Sequence, residues 1–242
     1  MTALFHGGPD GYSAAVLIAL AEKGLAFENH QVDLAAFAQH DPAFLAINPA
    51  GQLPVLRDGD RTLTEAFFIL LYLDERYPEP PLGGADPKAR YAVQKWGKYV
   101  ETHIAPNLAI VDWDQRGRTP DAAQQARLAA LTPERQALWT QALNGFSAED
   151  VQTAKAALAK AADRIAEDLA RQDWLAGAGW SLADIIVFPH AARFASLGLT
   201  VPAAVADWLA RVAQRPAVQQ AIGRGDHAPA VATMGPERGR WG

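Results

Sequence analysis

The sequence lacks cysteine altogether, since none occurs among its 242 residues. Without a thiol, the chain can form no disulfide, no thiolate metal site and no cysteine nucleophile. It also lacks an apolar stretch approaching the ~20 residues that span a bilayer. Residues 1–6 show no basic segment followed by an apolar run, which is the pattern of a signal peptide. We therefore expect a cytoplasmic protein with no membrane partner.

Positive charge is in short supply, because 22 Lys and Arg residues face 27 Asp and Glu residues and give a formal net charge of −5. No run of Lys and Arg offsets this balance, so a nucleic-acid partner is not expected. The six histidines show no metal-ligand spacing, and no metal is expected. Gly7, Gly8 and Gly11 do not match the G-x-G-x-x-G pattern of a dinucleotide-binding loop.

The first 78 residues alternate strand and helix patterns in the order βαβαββα, which predicts an α/β domain. Strands are predicted where short apolar runs adjoin Gly- and Pro-rich turns, at residues 4–6, 27–32, 53–56 and 61–64. Helices are predicted where apolar residues recur at helical spacing, at residues 13–23, at 41–47 and from 65 onward.

Prolines and glycines crowd the segment after this domain, which predicts a linker at residues 79–87. Beyond it the strand patterns stop, and glycine is confined to the joints between helical patterns. We expect an all-helical domain over residues 88–222 and an irregular tail over 223–242. The predicted helical segments are 88–112, 122–142, 148–171 and 181–197, and residues 202–222 add another helix or two.

The Leu53-Pro54 pair stands at the mouth of a predicted strand, where proline removes a hydrogen-bond donor from the sheet. One use for such a proline is a cis peptide bond, which turns the main chain of Leu53 outward to pair with an extended peptide. The other interpretation is an ordinary edge-strand proline. On the evidence of Leu53-Pro54 alone the two interpretations are equally favoured, because cis is the minority state of an X-Pro bond.

Thr64-Glu65-Ala66 begins a predicted helix, with Glu65 eleven residues after Pro54. The amide groups at a helix N-terminus suit a carboxylate, and a Glu side chain accepts hydrogen bonds from an ammonium group. Together, Glu65 and the amide of Ala66 would recognise an α-amino acid end. Alone, Glu65 is better explained by first-turn helix-dipole stabilisation. Paired with the Leu53-Pro54 turn, it predicts capture of a small γ-linked peptide.

Two motifs in the chain resemble a known family, the cytosolic glutathione transferases. The first is Asn48-Pro49-Ala50-Gly51-Gln52-Leu53-Pro54-Val55-Leu56 followed by Thr64-Glu65-Ala66, which resembles the family's glutathione site. The second runs from Trp174 to Asp184 and resembles the capping element of a buried helix, in which Ser181 and Asp184 form a capping box. The resemblance covers nearly the whole chain. It implies a thioredoxin-like N-terminal domain, an all-α C-terminal domain and a homo- or heterodimer.

The resemblance also implies a hydroxyl group that hydrogen-bonds the glutathione sulfur and favours its thiolate form. We favour Ser13, at the start of a predicted helix whose dipole also favours an anion. Ser13 as a helix N-cap is the structural alternative, and Tyr12 is either the donor instead or a wall of the pocket. The residues implied to bind glutathione are Tyr12, His40, Gln52, Leu53, Pro54, Glu65 and Ala66. On local evidence, His40 is equally a solvated loop residue.

Ala66 departs from the family pattern. Many relatives carry Ser or Thr at this position, whose hydroxyl adds a bond to the γ-glutamyl carboxylate. A hydrogen bond to a charged group is worth roughly 1.5–3 kcal/mol, so we expect weakened rather than lost affinity for glutathione. The departure also keeps open a non-catalytic subunit whose partner performs the chemistry.

Aromatic residues in the helical domain suggest a pocket for an aromatic electrophile. The candidates are Tyr99, His103, Asn107 and Trp113, although core packing is the commoner role of aromatic residues at helical spacing. The long segment 112–147 resembles the bacterial glutathione-dependent β-etherases, which cleave aryl ethers from lignin. Residues 37–40 and 144–146 also resemble that branch.

These observations support three functional hypotheses. In the first, the thiolate of bound glutathione attacks a hydrophobic electrophile, and in the β-etherase variant this attack expels a phenolate. In the second, glutathione supplies both sulfurs for disulfide reduction or peroxidase activity. In the third, the chain is a non-catalytic transferase-like subunit or scaffold.

Overall fold

The computed structural model describes residues 1–116 and 119–223. Its N-terminal part has the predicted order βαβαββα, with boundaries that differ from the predicted ones by a few residues. The strands are β1 (Thr2–His6), β2 (Glu28–Gln31), β3 (Val55–Asp58) and β4 (Arg61–Leu63). The helices are α1 (Gly11–Glu22), α2 (Pro42–Leu45) and α3 (Ala66–Arg76).

The four strands form one mixed sheet in the order β2-β1-β3-β4. Strand β1 runs parallel to β2 and antiparallel to β3, with Leu4 opposite Leu56. Both of these leucines are fully buried. Because β1 and β3 are antiparallel, the end of β1 and the beginning of β3 lie at the same edge of the sheet. The loop after His6 and the turn before Val55 therefore meet there.

Helix α1 is buried on all sides over Gly11–Leu20, as expected of an apolar helix at the centre of a protein. It begins at Gly11, two residues before the predicted start, because the Asp10 carboxylate caps it by accepting from the Gly11 amide at 2.7 Å. It ends at Lys23 and Gly24, and Gly24 has the positive φ of 63° that favours glycine after a helix.

The C-terminal part is helical throughout the residues described. Its eight helices are α4 (Pro87–Tyr99), α5 (Ala105–Arg116), α6 (Ala122–Ala129), α7 (Pro133–Asn144), α8 (Ala148–Leu169), α9 (Leu182–Ala191), α10 (Ala203–Ala213) and α11 (Pro216–Ile222). A π-helical turn, Val100–Ile104, joins α4 to α5. No helix of the described residues is long and apolar enough to cross a membrane.

Two of the predicted helical segments are each divided by a proline. The segment 122–142 is two helices, because Pro133 lacks an amide hydrogen and begins α7 as its first residue. In the same way, Pro216 separates α11 from α10. The predicted tail, residues 223–242, lies outside the described residues except for Gly223.

Helix α9 is buried along its whole length and is fastened by the predicted capping box. The Asp184 carboxylate accepts hydrogen bonds from the amide and hydroxyl of Ser181, from the Leu175 amide and from Trp208 Nε1, at 2.9–3.1 Å. Asp184 is completely buried. Burial raises the pKa of its carboxyl group to about 6. The motif therefore serves folding, as the sequence predicts.

The two parts of the chain are joined by charged contacts as well as by packing. The Arg193 guanidinium, just after α9, forms a two-pronged ion pair with Asp112 on α5. Its Nη1 also lies 3.7 Å from the Asp10 carboxylate, which caps α1. Asp112 is buried, so this cluster is shielded from water. It links the helical part to the loop that follows β1.

Candidate active site

A cleft of about 370 Å³ lies between the N-terminal part and the start of the helical part. The N-terminal part contributes Tyr12, Gln52, Glu65 and Phe68 to its lining. The wall opposite is made by α4 and the π-helical turn, through Lys98, Glu101 and Thr102. The N-terminal side of the cleft therefore includes three predicted site residues, Tyr12, Gln52 and Glu65. The helical side of the cleft is polar.

The turn before β3 forms the edge of this cleft. The Leu53-Pro54 peptide is cis, as one of the two interpretations of the sequence predicted. The Asn48 side chain holds the turn by donating to the Gln52 carbonyl at 2.8 Å and accepting from the Ala50 amide at 3.1 Å. This explains the role of the asparagine that opens the motif.

Glu65 and Ala66 lie side by side where α3 begins. Glu65 has φ 62° and ψ 106°, an unusual conformation for a residue with a side chain. Strain of this kind is concentrated at functional sites. Its side chain is exposed and lines the cleft. Ala66 is the first residue of α3, so its amide has no acceptor within the helix. A carboxylate and a helix N-terminus are thus presented together.

Tyr12 and Ser13 occupy the first turn of α1 but have different surroundings. Tyr12 lines the cleft, and its ring packs against the buried His190 ring in a T-shaped arrangement with centroids 4.7 Å apart. Ser13 is buried, and its hydroxyl oxygen accepts from the Gly7 amide at 3.2 Å. In this bond the hydroxyl acts as an acceptor, and a hydroxyl that accepts can still donate its own hydrogen to another group. The N-cap interpretation of Ser13 is wrong, since Asp10 caps the helix.

His40 is buried rather than solvated, so the interpretation of His40 as a solvated loop residue is wrong. It lies in a 3₁₀ turn, Ala38–His40, with its ring nearly perpendicular to the Trp139 ring and centroids 5.2 Å apart. Its Nδ1 accepts from Arg135 Nη2 at 3.3 Å. Burial, followed by the charge of Arg135, lowers the pKa of His40 to about 4. The imidazole is therefore neutral at pH 7.

Helices α6 and α7 cover the segment that precedes the motif. Arg127 Nε donates to Asp41 at 2.5 Å, and Gln124 Nε2 donates to the Ala35 carbonyl at 2.7 Å. The Phe37 and Trp139 rings pack with centroids 4.7 Å apart. Sequence reasoning missed these partners, because each contact joins residues far apart in the chain and no local pattern announces it.

The four residues predicted for the substrate pocket do not line this cleft. Tyr99 stacks on His103 with centroids 4.6 Å apart, Asn107 donates to the His103 carbonyl, and Trp113 is buried against Trp139. The physical reason is that these side chains are used in stacking, hydrogen bonding and core packing within the helical part, which is the commoner role of aromatic residues at helical spacing. Lys98, Glu101 and Thr102 occupy the cleft wall instead.

The cleft wall carries charge of both signs. Lys98 Nζ lies 3.8 Å from Glu101 Oε2 across one helical turn, with the lysine side chain largely exposed. Tyr12 and Phe68 supply the aromatic surface. Within the part of the chain that the structure describes, no group of three or more His, Asp or Glu side chains could hold a metal ion.

Comparison with known families assigns the class of protein. Residues 2–75 match the N-terminal domain of glutathione S-transferases, and residues 121–216 match their C-terminal domain. With the fold and the cleft described above, these matches establish that the chain belongs to the glutathione S-transferase family of enzymes, in which glutathione is the co-substrate.

Within this family the chain is similar to Protein LigF of Sphingobium sp. strain SYK-6, with 32% identity over 235 residues, 90% of this chain and 91% of LigF. The crystal structure of beta-etherase LigF has a TM-score of 0.86 at 30% identity and covers 93% of this chain and 99% of LigF. Glutathione S-transferase F10 of Arabidopsis thaliana is 31% identical over 73% of this chain and 74% of that protein. A glutathione transferase homolog from Sulfitobacter, solved with bound glutathione, shares the fold, with a TM-score of 0.73 at 23% identity over 93% of this chain and 98% of that one.

Proposed function

We propose that the protein is a glutathione transferase whose bound thiolate attacks a hydrophobic, aromatic electrophile, and that β-aryl ethers are its substrate class. The observation that carries the proposal is the convergence of Tyr12, Gln52 and Glu65 on one cleft. The similarity to LigF, described as a beta-etherase, favours the ether among electrophiles.

Glutathione would lie along the turn before β3. Its cysteinyl main chain pairs with that of Leu53 beside Pro54, as an added strand does. Its γ-glutamyl ammonium group binds Glu65, and the adjacent carboxylate accepts from the Ala66 amide at the N-terminus of α3. Its glycyl end points towards Gln52 and His40. This orientation directs the sulfur towards the first turn of α1.

Ser13 would donate its hydroxyl hydrogen to the sulfur and lower the pKa of the thiol, assisted by the dipole of α1. The thiolate then attacks the carbon that carries the aryloxy group. A carbon–sulfur bond forms, the carbon–oxygen bond breaks, and the electron pair leaves on the phenolate, which is protonated by solvent. No oxidant or reductant is needed for this substitution.

The test is turnover of an aryl ether whose phenolate product is coloured, with Ser13→Ala and Tyr12→Phe as the variants. Loss of one hydrogen bond to the developing or stabilised anion costs about 10²–10³-fold in kcat. We expect Ser13→Ala to lose that much while the KM for glutathione changes little. Unchanged turnover in Ser13→Ala with loss in Tyr12→Phe would move the role to Tyr12.

The non-catalytic alternative is supported by Ala66, which lacks the hydroxyl common in relatives. Calorimetry with glutathione separates the hypotheses, because a scaffold without the ligand site shows no binding at millimolar glutathione. Turnover of a small disulfide, with none on aryl ethers or halides, would select glutathione-dependent disulfide reduction instead.

We also propose that the protein is a dimer and works in the cytoplasm. Phe68, at the cleft, and Tyr91 on α4 are 65% and 69% exposed. A subunit interface would cover them. Sedimentation equilibrium measures the mass directly, and a mass of one chain at micromolar concentration would contradict the dimer.

A further inference from the structure

We propose that Thr102, in the π-helical turn, donates a hydrogen to the phenolate oxygen that leaves when the ether is cleaved. His103, the next residue, replaces that hydrogen with a proton taken from solvent. This inference rests on the proposed function, since it concerns the same reaction. It adds an acid for the leaving group on the wall that faces the proposed thiolate site.

The position of Thr102 is the first support. Thr102 lies in the wall opposite the N-terminal part and lines the same cleft as Tyr12. Tyr12 and Ser13 stand together in the first turn of α1, where the sulfur is proposed to bind. In a substitution at a saturated carbon, the leaving group departs on the side opposite the nucleophile. A thiolate held at α1 therefore directs the aryloxy oxygen towards the wall that contains Thr102.

The Thr102 hydroxyl has two partners within the helical part. It donates to the Lys98 carbonyl at 2.9 Å, and its oxygen lies 2.6 Å from His103 Nδ1. The first bond is the common one between a helical threonine and the preceding turn, and alone it indicates no function. The second is unusual, because adjacent residues of a helix do not ordinarily face each other. Since the hydroxyl hydrogen goes to the Lys98 carbonyl, the Thr102 oxygen accepts and His103 Nδ1 carries the hydrogen.

The His103 ring is held in place and is exposed to solvent. It stacks on the Tyr99 ring with centroids 4.6 Å apart and 14° between the ring planes. Tyr99 packs in turn against the buried Trp96, and the Arg164 guanidinium of α8 lies 4.7 Å from the centre of the Tyr99 ring. His103 itself is exposed. An imidazole releases a proton from one nitrogen and takes one up at the other, so His103 can pass protons from water to Thr102.

The proposed step needs no oxidant or reductant. As the carbon–oxygen bond breaks, its electron pair stays on the aryloxy oxygen. The Thr102 hydroxyl turns from the Lys98 carbonyl to this oxygen, because a developing anion is the stronger acceptor. The hydroxyl hydrogen passes to the aryloxy oxygen, the Nδ1 hydrogen of His103 passes to Thr102, and a water proton binds to Nε2. The proton that the glutathione thiol releases to solvent balances the one taken from water. Thr102 is thus the catalytic residue, and His103 acts through it.

Lys98 is a second donor on the same wall and is the competing candidate. Its ammonium group lies 3.8 Å from Glu101 Oε2, so it already has a carboxylate near it. Its side chain is also largely exposed, and ordering a long side chain of this kind costs conformational entropy. The Thr102 hydroxyl is short, is held by two partners and is connected to a group that replaces its hydrogen. These differences favour Thr102.

The experiment compares two ethers with the same carbon skeleton, one of which releases phenol and the other 4-nitrophenol. Rates are measured in single turnovers at saturating glutathione. An acid assists the departure of the weakly acidic phenol, whereas nitrophenolate leaves readily as the anion. Thr102→Val should cleave the phenyl ether about 10²-fold more slowly and stay within about threefold of the wild-type rate on the nitrophenyl ether. Thr102→Ser, which keeps the hydroxyl, should retain most of the activity on both.

His103→Phe tests the second member of the pair, because it keeps a ring that can stack on Tyr99 and removes both nitrogens. It should lose about tenfold on the phenyl ether and little on the nitrophenyl ether. The matched control is His30→Phe on β2, an exposed histidine that stacks on Phe5 with centroids 4.6 Å apart. Thr153→Val, at an exposed position of α8, is the control for the threonine change. Both controls should leave the ratio of the two rates unchanged.

Equal losses on the two ethers in Thr102→Val would indicate a structural role and overturn the proposal, and unchanged rates on both would overturn it as well. A selective loss in Lys98→Gln, without one in Thr102→Val, would assign the role to Lys98 instead. If the wild-type protein cleaves neither ether, the proposed function fails and this inference fails with it. The two failures are distinguishable, because turnover by the wild-type protein tests the function and the ratio of the two rates tests Thr102.

Discussion

At the scale of single residues, the site depends on groups whose protonation and bonding are set by burial. His40 is the clearest case. Its sequence context, next to Asp41 and Pro42, favours neither a binding nor a solvent role. Its surroundings include Arg135 and Trp139, which lie far along the chain and determine its burial and its protonation. Local sequence therefore predicted the position of His40 but not its neutral state.

The depressed pKa of His40 predicts a pH dependence of stability. The pKa of His40 is about 4 in the folded protein, compared with 6.5 for an unperturbed histidine side chain. Between these two pH values the unfolded chain therefore binds more protons than the folded protein. The contribution of His40 to the free energy of unfolding is fully present above pH 6.5. It is lost as the pH falls towards 4, by up to about 3 kcal/mol. Urea unfolding of His40→Gln should lack this loss. His30→Gln, at an exposed position on β2, should retain it.

Ala66 predicts a gain of affinity on substitution. Ala66→Ser places a hydroxyl at the first residue of α3, where the γ-glutamyl carboxylate is proposed to bind. One added hydrogen bond to a charged group should tighten glutathione binding about tenfold. Calorimetry measures the change. Ala203→Ser, at the first residue of α10, is the control, and an equal effect there or none at Ala66 would contradict the proposed orientation of the ligand.

At the scale of elements, caps and turns decide where helices begin and which faces they present. The capping box of α9 was predictable, because Ser181 and Asp184 have the required spacing and precede an apolar run. The division between α6 and α7 was also within reach, since Pro133 follows Thr132 in a segment read as continuous. The π-helical turn after α4 was not, because no residue pattern in 100–104 marks it.

The Asp184 carboxylate predicts a large loss of stability on truncation. Asp184→Ala leaves buried donors of Leu175, Ser181 and Trp208 without their acceptor, at about 1–3 kcal/mol for each unsatisfied group. We expect the free energy of unfolding to fall by about 3 kcal/mol or more. Asp150→Ala removes the corresponding carboxylate from the exposed capping box of Ser147 and Asp150 on α8. It should lower the free energy of unfolding by about 1 kcal/mol. Similar losses in urea unfolding would contradict this account.

At the scale of the whole molecule, a half in which strands and helices alternate packs against an all-helical half, and the cleft lies between them. The alternation of strands and helices before the linker and the purely helical pattern after it were predictable from proline, glycine and apolar spacing. The contacts that join the halves were not, because Arg193 meets Asp10 only after the chain has folded. Sequence periodicity carries no information about such distant pairs.

The buried ion pair of Arg193 with Asp112 predicts a large loss of stability when the arginine is removed. Removing one member of a buried ion pair leaves an uncompensated charge, at a cost of about 3–5 kcal/mol. Arg193→Gln should therefore lower the free energy of unfolding by that order, and adding Asp112→Asn should recover part of it. Arg171→Gln breaks an exposed pair with Asp168 and should cost less than about 1 kcal/mol. Equal costs for both arginines, measured by urea unfolding, would show that the cluster adds nothing.

The antiparallel pairing of β1 with β3 has a consequence for how this chain tolerates change in length. The loop after β1 and the turn before β3 are aligned by the register of β1 against β3, in which Phe5 pairs with Val55 at the end nearest both connections. Adding or deleting one residue in either connection would shift α1 against the turn by about 3.3 Å. Length variation among natural relatives should therefore concentrate in the β3–β4 hairpin and in 112–147. Residues 7–13 and 48–54 should keep a constant length.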